Sequence, residues 1–68
     1  MRNDPRLQSI RRVLLDSAMH QPMYAGSGYG MVFETMLDMI EQGYFRRINV
    51  AGVTYAEITS KGKKARDE

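Results

Sequence analysis

The chain has 68 residues, of which 43% are hydrophobic, and its 10 Lys and Arg against 8 Asp and Glu give a formal net charge of +2. A chain this short buries only about 60% of the surface that its unfolded state exposes, so it can form one domain with a thin core. The absence of cysteine and the single histidine, His20, exclude disulfides, thiolate metal sites and multi-histidine metal sites. We therefore expect one domain over residues 1–68, with no metal or cofactor, stabilised by helix packing or by burial against a second copy or a partner.

The first predicted element is a helix from about Pro5 to Met19. Asp4 is the candidate N-cap, and Pro5 suits the first helical position, where the missing N–H costs nothing. Pro22 then ends the helix. Apolar residues at helical spacing form one stripe with two flanking positions: Leu7, Ile10, Leu14 and Ala18, flanked by Val13 and Leu15.

A second helix is predicted to begin near Ser27 to Gly30 and to run to Gln42, where Gly43 ends it. The segment before it, residues 20–30, is rich in Gly and Pro, and for residues 21–26 turn, strand and short helix all stay open. One arc of the helix is apolar: Val32, Phe33, Met36, Leu37, Met39 and Ile40. The opposite arc is predicted to be exposed: Met31, Glu34, Thr35, Asp38, Glu41 and Gln42.

A β-hairpin is predicted next, with strands over Tyr44–Val50 and Val53–Thr59. A two-residue loop at Ala51-Gly52 would pair Arg46 with Glu57, Ile48 with Tyr55 and Phe45 with Ile58. Alanine is a poor residue for the positive φ that such a loop requires, so a longer loop is the alternative.

The hairpin must pack on the helices, because a lone hairpin is only marginally stable in water. Phe45 and Ile58 are the predicted anchors. A third strand would have to come from Met23–Tyr24, and Ser60 to Arg66 is predicted to add a last helical turn. The elements together predict a small α+β, winged-helix-like domain: helix, loop, helix, β-hairpin and short C-terminal turn.

From Ser27 to Ala65, 39 of the 68 residues, the chain resembles the second half of a winged helix-turn-helix domain. Residues 39–45, Met-Ile-Glu-Gln-Gly-Tyr-Phe, resemble the end of a recognition helix and its turn into the wing. Residues 59–62, Thr-Ser-Lys-Gly, match the Thr-x-Lys-Gly ending common in MarR-like and PadR-like regulators. The resemblance implies a DNA-binding ancestry, in an abbreviated form, since residues 20–30 replace the short helix of a full domain.

Basic residues lie at the start of the hairpin and in the C-terminal stretch. They predict a nucleic-acid-binding protein, in the role of a transcriptional regulator, that contacts double-stranded DNA through its phosphates in a salt-sensitive way. An ordinary solvated surface is the alternative for the same residues. The candidate DNA contacts are Arg46, Arg47, Lys61, Lys63 and Lys64, with Thr35 as a neutral residue that could face bases.

An acidic row on the second helix favours a different partner. Glu34, Asp38 and Glu41 are spaced to lie side by side, and beside a line of phosphates they would be repelled. This helix also has no Arg or Lys to recognise guanine. The alternative function is therefore a protein-interaction module, an adaptor or inhibitor, that binds a basic protein with Glu34, Asp38, Glu41, Tyr29 and Met31.

Other classes of function have less support. His20 has no partner that would make it a catalytic residue, and the Gly-rich residues 26–30 lack the strand and the Lys of a phosphate-binding loop, so we expect no enzyme. A homodimer through an apolar edge at Val13 or Leu15 is a further expectation. With no apolar run of about 20 residues and no signal-peptide pattern, we expect no membrane partner and a cytoplasmic location.

Overall fold

The computed structural model describes residues 5–68, so that Asp4, the predicted N-cap, lies outside the described part. It confirms a small α+β domain with three helices and a three-stranded antiparallel sheet. The predicted order of helix, loop, helix and hairpin is present, and the C-terminal turn is a full helix of eight residues. In chain order the elements are α1 (Pro5–His20), β1 (Met23–Tyr24), α2 (Met31–Glu41), β2 (Phe45–Val50), β3 (Val53–Ile58) and α3 (Ser60–Asp67).

The hairpin of β2 and β3 has the predicted register, with Arg46 opposite Glu57 and Ile48 opposite Tyr55. Its loop has two residues, and both have positive φ: 53° at Ala51 and 82° at Gly52. Such a loop follows the right-handed twist of the strands. Ala51 therefore adopts a left-handed conformation, which is unfavourable by about 1 kcal/mol or more for a residue with a Cβ.

The segment before α2 supplies the third strand. β1 pairs with β3 antiparallel, with Met23 opposite Ala56 and Tyr24 opposite Tyr55. The Ala25 N–H extends the pairing by donating to the Thr54 carbonyl oxygen at 2.9 Å. The order in the sheet is β1-β3-β2, which makes β3 the central strand.

The core lies between one face of the sheet and the helices α1 and α2. The predicted anchors Phe45 and Ile58 are buried, with 1% and 9% of their surface exposed. Leu15 is also buried, so the prediction that it offers a dimer edge is wrong, whereas Val13 is 62% exposed. The buried hydrophobic residues are Leu14, Leu15, Ala18, Ala25, Met36, Met39, Phe45, Ala56 and Ile58.

The Thr-x-Lys-Gly ending is a structural junction between the sheet and α3. Thr59 is the N-cap of α3, and its Oγ1 accepts a hydrogen bond from the Gly62 N–H at 3.1 Å. The same hydroxyl lies 2.6 Å from the Gly43 carbonyl oxygen and 3.0 Å from that of Tyr44, and it can donate to either. A Cβ at Gly62 would collide with the Tyr44 carbonyl oxygen and would lie 2.6 Å from Ile58 Cγ1. Only glycine therefore lets α3 pack this closely.

Candidate binding surfaces

The two neighbouring arginines of β2 lie on opposite faces of the sheet. Side chains alternate along a strand, and Arg47 shares its face with the buried Phe45, on the side that the helices cover. Arg46 therefore lies on the other face, which we call the outer face. The neighbouring arginines Arg46 and Arg47 therefore belong to two separate surfaces.

Three of the predicted DNA contacts meet in one open groove of about 730 Å³, where the end of α1 approaches the base of the hairpin and the start of α3. We call it the basic groove. Among the described residues, Glu57 is the one carboxylate in its lining. The other polar lining includes His20, Gln21, Arg46, Ser60, Lys61 and Lys63.

The cations of the basic groove differ in how they are held. Arg46 forms an ion pair with Glu57, 2.6 Å from Nη2 to Oε1, as predicted, and its side chain remains 68% exposed. Lys61 Nζ donates to the Gln42 carbonyl oxygen at 2.7 Å and lies 4.7 Å from the centre of the Tyr44 ring. Lys63 is exposed and makes no side-chain hydrogen bond or ion pair with residues 5–68. Lys63 is therefore the cation most available to a ligand.

Lys64 is also exposed, but it does not line the basic groove. It is the neighbour of Lys63 on α3 and carries the same charge. The structure therefore separates two lysines that the sequence predicted to act together.

The acidic row of α2 is exposed as predicted, and we call it the acidic ridge: Glu34, Asp38 and Glu41. Arg47 lines a shallow pocket of about 390 Å³ together with these three carboxylates. Asp38 also accepts a hydrogen bond from Gln42 Nε2 at 2.8 Å. Because Arg47 shares this pocket with three carboxylates, their charge offsets its positive potential, and Arg47 is a weaker candidate for a phosphate contact than the sequence indicated.

Thr35 does not lie on the exposed face of α2, so that part of the prediction is wrong. Only 8% of its surface is exposed. Its hydroxyl donates to the Met31 carbonyl oxygen at 2.7 Å, and this local bond lets a threonine be buried within a helix at little cost. Thr35 is therefore not accessible to a base. Tyr29 and Met31, by contrast, are 94% and 43% exposed, as the protein-interaction alternative requires.

Sequence reasoning did not include His20 and Ser60 in a binding surface. They belong to the basic groove only because α1 ends beside the start of α3. This contact depends on how α3 returns to α1, where Arg66 Nε donates to Asp16 Oδ1 at 2.7 Å. Helical periodicity describes each helix alone, so the sequence pattern contains no signal for the contact between α1 and α3.

A metal site and a membrane-spanning helix have no counterpart in the described residues. In residues 5–68 no three His, Cys, Asp or Glu side chains come together as a metal site would require. None of the helices in that range has the length and apolar content of a membrane span. Comparison of the chain with protein-family models, curated proteins and solved structures finds no match.

Proposed function

We propose that this protein is a nucleic-acid-binding module that holds phosphates in the basic groove. The observation that carries the proposal is that Arg46, Lys61 and Lys63 line one groove in which residues 5–68 supply a single carboxylate, Glu57. Lysine and arginine side chains are the usual phosphate contacts, and such contacts position a nucleic acid without reading its sequence. The order of the elements and the Thr-x-Lys-Gly junction support a winged-helix relationship, which adds to this proposal.

The proposed mode of binding does not place α2 in the major groove. If α2 did enter the major groove, the acidic ridge would lie among phosphates, which carry one negative charge for about every 1.7 Å of duplex. Docking at the basic groove avoids this repulsion, because Arg46 and the acidic ridge lie on opposite sides of β2. The protein would accordingly bind DNA with little preference for sequence.

Fluorescence anisotropy of a labelled 20-base-pair duplex, titrated in ~50 mM and ~200 mM salt, tests this proposal. We expect affinity to fall steeply with salt and Lys63→Glu to weaken binding about tenfold, as loss and reversal of one phosphate contact would. Lys64→Glu is the matched control, since it makes the same charge change outside the groove. Equal losses for both variants would show that net charge, not the groove, determines binding. Absence of binding at the lower salt would overturn the proposal.

A second candidate function is binding of a basic protein segment by the acidic ridge. The favouring observation is that all three carboxylates are exposed while Arg47, from β2, is the only cation of the described residues that lines their pocket. A fluorescein-labelled octalysine peptide is a direct probe. If this function holds, Glu34→Gln with Asp38→Asn weakens peptide binding, whereas Glu57→Gln, a carboxylate of the basic groove, leaves it unchanged. Equal effects of the two changes would contradict it.

A second copy of the chain is the proposed partner of an apolar groove between α1 and α2. The groove has a volume of about 260 Å³, and the described residues that line it are all uncharged: Ser9, Ile10, Val13, Leu14 and Val32. In a two-fold dimer the same surface of each copy contacts that of the other. An uncharged surface therefore avoids repulsion between like charges. Val13 and Val32 are 62% and 56% exposed there.

Sedimentation equilibrium tests the dimer. Val13→Glu should convert a dimer to a monomer, because it buries a charge in the apolar groove of each copy. Val50→Glu is the matched control, since Val50 is 55% exposed but lies at the end of the hairpin. A wild-type protein that stays monomeric at ~100 μM, where dimers with a Kd of that order are half formed or more, would rule the dimer out.

A further inference from the structure

Apart from the pair Arg46–Glu57, the outer face of the sheet is an apolar surface, and the helices of residues 5–68 pack on the opposite face. The helices pack on the side of Phe45, Ala56 and Ile58, so the alternate residues point away from the core. Three of them are well exposed: Tyr24 and Val50 at 55%, and Val53 at 36%. The apolar part of the outer face is formed by Tyr24 of β1, Ile48 and Val50 of β2, and Val53 and Tyr55 of β3, and the pair Arg46–Glu57 lies on the same face.

Tyr24 is exposed but held in place on three sides. Its ring lies edge-on to that of Tyr55, with 6.4 Å between the ring centres and an angle of 81° between the planes. Its hydroxyl lies 3.2 Å from Ser27 Oγ. The ring also covers Gly26 so closely that a Cβ there would lie 2.9 Å from two ring carbons. An exposed ring that is already ordered loses little entropy when a ligand covers it.

The outer face adjoins the basic groove in a defined register. On β3, Tyr55 and Glu57 are two residues apart, opposite Tyr24 and Arg46 respectively, so the aromatic row lies about 7 Å from the ion pair. A strand with its phosphates in the basic groove therefore has its bases within reach of the Tyr24 ring. Glu57 is the only carboxylate that residues 5–68 place on this face, and its charge is neutralised by Arg46. These residues therefore present no unpaired negative charge to a polyanion there.

We propose that the outer face is a stacking surface for unpaired bases and that the protein prefers single-stranded to duplex nucleic acid. This proposal rests on the phosphate-binding function of the basic groove and adds the class of ligand. Proteins that bind single strands combine a cationic groove with aromatic rings on which bases stack. In a duplex the bases are paired and stacked on each other, so they cannot cover Tyr24.

The test is anisotropy with a labelled 20-nucleotide oligo-thymidine and a 20-base-pair duplex at the same salt. Wild type is expected to bind the single strand at least threefold more tightly. Tyr24→Ala should weaken single-strand binding about tenfold, because a stacked base contributes roughly 1–3 kcal/mol, and should leave duplex binding unchanged. The duplex therefore also reports that the variant is folded. Tyr24→Phe, which keeps the ring and loses the Ser27 contact, should retain single-strand affinity.

Tyr29→Ala is the matched control, because Tyr29 is 94% exposed and lies outside the sheet. Loss of affinity in Tyr29→Ala equal to that in Tyr24→Ala would contradict the stacking surface. So would a Tyr24→Ala variant that binds both probes like wild type, or a wild type that prefers the duplex. Sedimentation gives another outcome that overturns the proposal: a dimer that Tyr24→Ala dissociates would assign the face to a second copy. Failure to bind either probe would refute the phosphate-binding function itself.

Discussion

The basic groove and the acidic ridge are different kinds of surface, although adjacent residues contribute to them. Arg46 lines the groove, and Arg47 lies beside the ridge. The groove is assembled from residues far apart in sequence, including His20, Arg46 and Lys63. The ridge is built from one helix at helical spacing, with Arg47 added by the neighbouring strand. The pair of arginines therefore does not form one basic patch, because alternation along β2 sends their side chains to opposite faces.

The two surfaces also depend on different parts of the fold. The ridge needs only that α2 is a helix. The groove needs the Thr59–Gly62 junction, where Thr59 and Lys61 bond the carbonyl oxygens at the end of α2 and the start of β2. Lys61 has a structural role there, since a cation at a helix C-terminus offsets the partial negative charge of the last carbonyl groups.

The largest effect is expected when the junction under the groove is overpacked. Gly62→Ala should lower the free energy of unfolding by about 3 kcal/mol, the upper end for an extra methyl group in a close-packed site, because the new Cβ has no space between Tyr44 and Ile58. Urea denaturation followed by circular dichroism measures the change. Lys64→Ala on the same helix is the control, with an expected change within about 0.5 kcal/mol. A Gly62→Ala protein as stable as this control would refute the close packing.

A smaller loss is expected from the N-cap of α3. Thr59→Ala removes the acceptor for the Gly62 N–H and the donor to Gly43 or Tyr44, and it should cost about 1–2 kcal/mol. Thr59→Ser keeps the hydroxyl and should retain most of the stability. If serine were as destabilising as alanine, the methyl group and not the hydrogen bonds would be the stabilising part.

A substitution in the hairpin loop should increase stability and leave the basic groove and the acidic ridge unchanged. Ala51→Asn is expected to raise the free energy of unfolding by about 0.5–1 kcal/mol, because asparagine tolerates the positive φ of this position. Ala51→Val should lower it, since a β-branched residue is strained there. Thermal unfolding ranks the three proteins. A valine variant as stable as the asparagine variant would contradict the two-residue loop.

The smallest effect is expected when two carboxylates of the acidic ridge are neutralised. Glu34→Gln with Asp38→Asn should raise duplex affinity by less than about threefold, because these carboxylates lie on the face away from the basic groove, the proposed phosphate site, and solvent screens their charge. Anisotropy at ~50 mM salt measures it. A rise of tenfold or more would place phosphates against α2 and contradict docking at the basic groove.

Most of the secondary structure could be predicted from the sequence, for identifiable reasons. Apolar periodicity located α1 and α2, and complementary cross-strand pairs such as Arg46 with Glu57 gave the register of the hairpin. β1 stayed open because a strand of two residues has too little pattern to recognise. Its pairing depends on β3, whose free edge only becomes evident once the hairpin is folded.

The surfaces could be predicted only where one element makes them. The acidic ridge follows from helical spacing alone. Thr35 was placed on the wrong face because a helical wheel divides a helix into two arcs, whereas α2 also contacts α1, and a local hydrogen bond makes the burial of a hydroxyl cheap. The separation of Lys63 from Lys64 depends on how α3 packs, which no local pattern encodes.

The two arginines on the two faces of β2 provide the most direct test of phosphate binding in the basic groove. Anisotropy of the labelled duplex across salt concentrations gives the slope of log affinity against log salt for Arg46→Gln, Arg47→Gln and wild type. Arg46→Gln is made together with Glu57→Gln, so that no carboxylate is left unpaired in the groove. Loss of one phosphate contact should lower the magnitude of the slope by about one, and we predict this change for the Arg46 variant and no change for Arg47→Gln. A lower slope in Arg47→Gln with a wild-type slope in the Arg46 variant would place the phosphates beside α2 and contradict the account.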